Sequence, residues 1–114
     1  MINSQKRFIS ILLEDVKPNW NNITIHFEYI TIDGEIFEVY KAQYYIRGER
    51  IQDFLSLEAT NSLVDLNNCI PEGQSEKWTS VDFTMEKSGK YKFEFGYGIP
   101  PMVKETLDRR KLYR

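Results

Sequence analysis

The sequence is poor in the residues that most simple functions require. Among its 114 residues there is one cysteine, Cys69, and one histidine, His26. A lone cysteine closes no internal disulfide, and no zinc-ligand spacing exists with so few soft donors. No apolar run approaches the roughly 20 residues that span a bilayer. The start, MINSQKRFISILLEDV, has a basic pair followed by a short apolar stretch, but Glu14 and Asp15 interrupt it before a secretory core or cleavage site can form. A cytoplasmic address is the expectation. Glycine-rich phosphate loops are also missing, and a net charge of −2 is too small to indicate a nucleic-acid partner.

Apolar residues are plentiful instead, at 41% with 14% aromatic, which excludes disorder and predicts one domain with an aromatic core. Asn3 or Ser4 can cap a first helix running to about Val16, ahead of Pro18. Phe8, Leu12 and Val16 recur every fourth residue, flanked by Ile9 and Leu13, so this helix has one wide apolar stripe. From Ile23 the period changes to two, and Asp33-Gly34 separates two alternating runs. If that pair is the loop, Ile32 faces Glu35, Phe27 faces Tyr40, Ile25 faces Ala42 and Ile23 faces Tyr44. On the other face His26 meets Lys41, and Thr24 meets Gln43.

A second hairpin is predicted around Lys87-Ser88-Gly89, with Gly89 in the left-handed position. It sets Met85 against Tyr91, Phe83 against Phe93 and Val81 against Phe95, so the aromatics of the last strand are expected at the centre of the core. Between the hairpins a helix is expected from about Arg50 to Cys69. Leu55, Ala59, Leu63, Leu66 and Ile70 would lie on one side, with a break near the poor helix formers at Thr60. Pro100-Pro101 opens a short C-terminal helix. The expected fold is α+β in the order α-β-β-α-β-β-α, a four-stranded antiparallel sheet with its helices on one face.

Candidate chemistry is thin. His26 reads as a surface histidine, and Cys69 as an inert thiol with no base beside it. Asp82 falls opposite Glu94 across the second hairpin, a mildly unfavourable like-charge pair with no deep cleft to make it an acid and base. The expectation is no enzyme, no cofactor, no metal and no small-molecule substrate. A hydrolase or isomerase reading would need a pocket holding His26. The stretch Gly89 to Phe95 has the alternating aromatics of an RNA-binding strand, but Asp82 and Glu94 on its other face would repel phosphate.

Charge is unevenly placed. Between Ile51 and Glu76 there are five acids (Asp53, Glu58, Asp65, Glu72 and Glu76) and no lysine or arginine, while Arg109 to Arg114 hold four bases. Such an acidic stretch is either a solvated face or a docking surface. Asp82 and Glu94 form a second acidic candidate, and the basic tail leaves a nucleic-acid-binding module as the alternative.

The segment Trp78 to Tyr97, WTSVDFTMEKSGKYKFEFGY, resembles the signature hairpin of YezG-like immunity proteins. There too a Trp-Thr pair opens a strand, a lysine-and-glycine turn follows, and an aromatic pair around a tyrosine ends the next strand. The preceding helix, the Trp20 that leads into a hairpin, the second helix and the basic tyrosine-containing tail are similar as well. The resemblance implies a cytoplasmic antidote that binds a protein toxin, commonly a nuclease, and blocks its active site. Related proteins act in contact-dependent inhibition.

Overall fold

The computed structural model describes residues 2–70 and 76–112. Three helices and five strands follow in the order α1 (Ile2–Asp15), β1 (Asn21–Ile32), β2 (Glu35–Ile46), β3 (Glu49–Gln52), α2 (Leu57–Asn67), β4 (Ser80–Met85), β5 (Tyr91–Gly96) and α3 (Pro101–Leu112). The strands form one open antiparallel sheet in the order β3-β2-β1-β4-β5.

Asp33 and Gly34 both adopt positive φ, 51° and 81°, as a two-residue hairpin loop with the strands' own twist demands. The register is the expected one from Ile32↔Glu35 through Phe27↔Tyr40 to Thr24↔Gln43. It then slips: a bulge lies between Asn21 and Thr24, where Asn22 has φ 48°, so the regular ladder stops short of the expected Ile23 to Tyr44 pairing. The second hairpin keeps Met85↔Tyr91, Phe83↔Phe93 and Val81↔Phe95, with Gly89 at φ 98°.

Three expectations are corrected. First, the sheet has five strands. Arg47 and Gly48, with φ of 51° and 81°, make another two-residue turn, and Glu49–Gln52 pairs back on β2. Those residues are therefore unavailable to α2, which starts at Leu57 on the Ser56 cap. The Ser56 hydroxyl accepts from Ala59 N–H (3.1 Å) and donates to Asp15 (2.8 Å), which ties the start of α2 to the end of α1. The helix runs unbroken through Thr60, because Thr60 and Ser62 donate to the Leu57 and Ala59 carbonyls and so satisfy their buried hydroxyls.

Second, the core centres on β1 and β4. Ile23, Ile25, Phe27, Val81 and Phe83 are buried against Phe8, Leu12, Leu63 and Leu66, with Trp78 fully inside as an anchor. Strand β5 is an edge, so Phe93 and Phe95 have neighbours on one side only and are half-buried, while Tyr91 and Tyr97 are exposed. Ile70 is exposed too.

Third, the helices do not share one face. Ile23, Ile25 and Phe27 point at α1 and α2, so Thr24, His26 and Glu28 point the opposite way. Glu28 is fully buried there, because the N–H groups of Met102 and Val103 in the first turn of α3 donate to its carboxylate. Helix α3 thus covers one end of the second face. Val103 is buried, and Arg110 lies over the ring of Phe37 (5.1 Å) while it pairs with Glu35 (2.8 Å).

Candidate functional site

The second face of the sheet carries the one tightly organised polar cluster among the described residues. His26 and Glu28 are two apart on β1 and so project together, and the β1–β4 register puts Asp82 directly beside His26. The imidazole Nε2 lies 2.5 Å from Glu28 Oε2 and Nδ1 lies 2.7 Å from Asp82 Oδ1. Burial pulls the imidazole pKa down, but hydrogen bonds to the two carboxylates and their charge outweigh it, and the net shift is upward from the ordinary 6.5. The imidazolium is the form that this setting favours.

That geometry corrects the reading of His26 as a simple surface residue. It also limits its chemistry, since both ring nitrogens are occupied and neither is left to take a proton from a bound molecule. Glu28 was not singled out from the sequence, because a glutamate in an alternating strand looks like a solvated residue. The available signal was the i, i+2 spacing of His26 and Glu28. His26 and Asp82 line a half-open depression of about 520 Å³ whose other polar lining includes Lys41, Gln43, Arg50 and Asp53. Its lining includes both bases and acids.

The seven acids expected to dock a partner fall in different places. Asp82 and Glu94 are opposite one another as expected, and each has found a cation, His26 for Asp82 and Lys92 (2.6 Å) for Glu94. Asp53, with φ 53°, ends β3 and joins the depression on that same side. Glu58 and Asp65 lie on the outer ridge of α2, on the other side of the sheet. Glu76 is exposed, and Glu72 lies outside the described residues.

The stretch without bases in sequence is not without them in space. Arg7 of α1 reaches Asp65 (3.7 Å), and Lys77 donates to Asn68 (2.8 Å). Glu58 has no ion-pair partner among the described residues, and its neighbour Leu57 is 76% exposed. Asp15 approaches the same end of the helix through Ser56. Glu58 and Asp15 thus put negative charge at the start of α2, and Asp53 and Glu76 likewise have no ion-pair partner among the described residues.

Of the basic tail, Arg109 faces Glu105 (3.9 Å) and Arg110 is held by Glu35 and Phe37, while Tyr113 and Arg114 lie outside the described residues. No described helix is long and apolar enough to cross a membrane. Compared with models of known protein families the chain matches none, and no curated protein matches it either.

Proposed function

We propose that this chain is an immunity protein that binds a cognate bacterial toxin in the cytoplasm and blocks its active site. The reading rests on the resemblance of the Trp78–Tyr97 hairpin, and the observation that carries it into three dimensions is the start of α2. There Glu58 is exposed beside the exposed Leu57 and has no ion-pair partner among the described residues, and Asn61, Asp65 and Asn68 continue the outward ridge. A helix with such a ridge can enter a groove, with carboxylates for cations and amides for polar groups.

A nuclease is the toxin class that this charge suits, because its groove is basic to hold a polyanion. Acids on the inhibitor steer it to that groove and raise the association rate. A nucleic-acid partner is the less favoured reading, since Arg109 and Arg110 already face acids of this chain.

The experiment uses an inactivated toxin domain encoded beside this gene. Glu58→Lys with Asp65→Lys is expected to slow association and flatten its salt dependence, with the melting temperature nearly unchanged. If both rates are unaffected while Asp82→Lys with Glu94→Lys abolishes binding, the docking face is the sheet. If the neighbouring gene encodes no toxin and its product does not bind, the immunity reading is wrong.

A further inference from the structure

Strand β5 ends the sheet, with its outer edge unpaired among the described residues. Natural edges are usually guarded by charge, proline, a bulge or a covering element; Tyr91–Gly96 carries Lys92 and Glu94 but, among the described residues, no proline, bulge or covering strand. Its backbone polarity is legible. Glu86 N–H donates to the Lys90 carbonyl (2.8 Å) and Thr79 N–H to that of Gly96 (2.8 Å). Antiparallel pairing alternates, so Lys92 and Glu94 direct their N–H and C=O groups at β4. Tyr91, Phe93 and Phe95 present theirs outward.

We propose that β5 pairs antiparallel with β5 of a second copy of this chain, about a two-fold axis at Phe93. The argument is one of register. With the axis at Phe93, Lys92 of each copy falls opposite Glu94 of the other, and Tyr91 falls opposite Phe95. The residues facing across the axis are those with outward N–H and C=O groups, so the backbones close reciprocal hydrogen bonds. Lys92 and Glu94, which already pair within the chain, then form an alternating square of four charges. An axis at Glu94 sets two Glu94 side chains face to face, and an axis at Lys92 does the same with two lysines. An axis between residues turns the aromatics of one copy to the charged face of the other.

Helix α1 gives a second, independent reason. The Phe8 ring touches both Phe83 (5.4 Å) and Phe93 (6.2 Å), so α1 rides over the boundary of β4 and β5. Ser4, Arg7 and Asp15 face α2 through Cys69, Asp65 and Ser56. The opposite flank of the helix, toward the free edge, carries Ile2, Ile9 and Leu13, of which Ile2 is 67% and Leu13 40% exposed. Strands spaced about 4.8 Å apart would bring the two α1 helices to about 10 Å, the ordinary distance of packed helices. Ile2 and Leu13, which the monomer leaves exposed beside Lys6, enter a helix–helix contact. A closed two-fold pairing uses up the β5 edge of both copies, leaves β3 as the edge at each end, and does not propagate through β5.

The test is sedimentation equilibrium of the full chain at about 0.1 mM, a concentration that detects dimers of up to submillimolar Kd. The unaltered chain is expected to be dimeric. Lys92→Glu and Glu94→Lys should each raise the dimer Kd by about tenfold or more, since both cross-axis pairs turn repulsive at once. The double swap, Lys92→Glu with Glu94→Lys, should restore it. Both side chains are more than half exposed, so the fold tolerates these changes. Leu13→Asp, on a different element, should also weaken the dimer. A monomeric unaltered chain overturns the proposal. So does a dimer indifferent to the single reversals, or a double swap as monomeric as the singles.

Discussion

Glu28 is the residue on which the attachment of α3 turns, and its replacement has a magnitude that can be worked from the structure. The carboxylate is fully buried and accepts from Met102 N–H (3.0 Å) and Val103 N–H (2.9 Å), with His26 Nε2 at 2.5 Å. It also places a negative charge at a helix N-terminus, where the backbone dipoles favour it. Hydrogen bonds to a charged group contribute about 1.5–3 kcal/mol each before the cost of desolvating that group is set against them. Removing one partner of a buried charged pair typically costs about 3–5 kcal/mol, and Glu28→Ala is placed in that range. Glu28→Gln keeps the volume, and its amide oxygen can still accept one helix N–H. Its NH2 then faces a donor instead of an acceptor, so a loss of about 2–3 kcal/mol is expected. Urea melts at neutral pH measure the sum. Hydrogen exchange at Met102 and Val103 locates it, and both amides should lose protection more than those of β1 and β4. A loss below about 1 kcal/mol for the alanine variant, with exchange unchanged, would mean that α3 is held by other contacts.

The raised pKa of His26 predicts a pH dependence of known sign. Its contribution to stability is full below the ordinary 6.5 and is lost as pH rises through the higher folded value, so melts should weaken as pH rises past 6.5 and His26→Gln should flatten that slope. A slope of the opposite sign, or one unchanged in the variant, refutes the assignment. In the core, Phe83→Ala should cost about 3–5 kcal/mol. Phe93→Ala, half-buried at the edge, should cost about 1–2 kcal/mol when measured at low protein concentration. Equal losses would put β5 back at the centre.

Both hairpins were legible because their signals are local. Asp33-Gly34 and Gly89 supply positive φ where a tight loop needs it, and the alternation on either side fixes which residues face each other. The first register slips only at the Asn22 bulge, which replaces the expected Ile23 to Tyr44 partnership and has no sequence marker beyond an asparagine. Strand β3 was missed for the converse reason. Arg47 is not a usual residue for positive φ, and four residues, ERIQ, are too few to establish a period before a run that scores as helix. The aromatics of β5 were placed too deep because alternation tells which face a residue occupies. It does not tell whether its strand has a neighbour on both sides.

The same limit governs the site. A period of two puts His26 on the polar face of the first hairpin and Asp82 on that of the second, and both faces were expected to meet water. Whether a face is covered is decided by a segment far along the chain. Here it is the first turn of α3, 74 and 75 positions from Glu28, whose N–H groups make burial of a carboxylate affordable. Once Glu28 is enclosed, His26 gains a fixed anion on one nitrogen, and Asp82 supplies another through a strand that sequence had placed in a different hairpin. The acidic stretch shows the reverse error. Counting along residues 51–76 found no base, yet Arg7 arrives from α1 because the two helices pack side by side. Charge along a chain therefore predicts a surface only where neighbouring elements bring no countercharge. By that criterion, of the seven candidate acids, Glu58 beside Leu57 is the one on α2 that has no countercharge among the described residues.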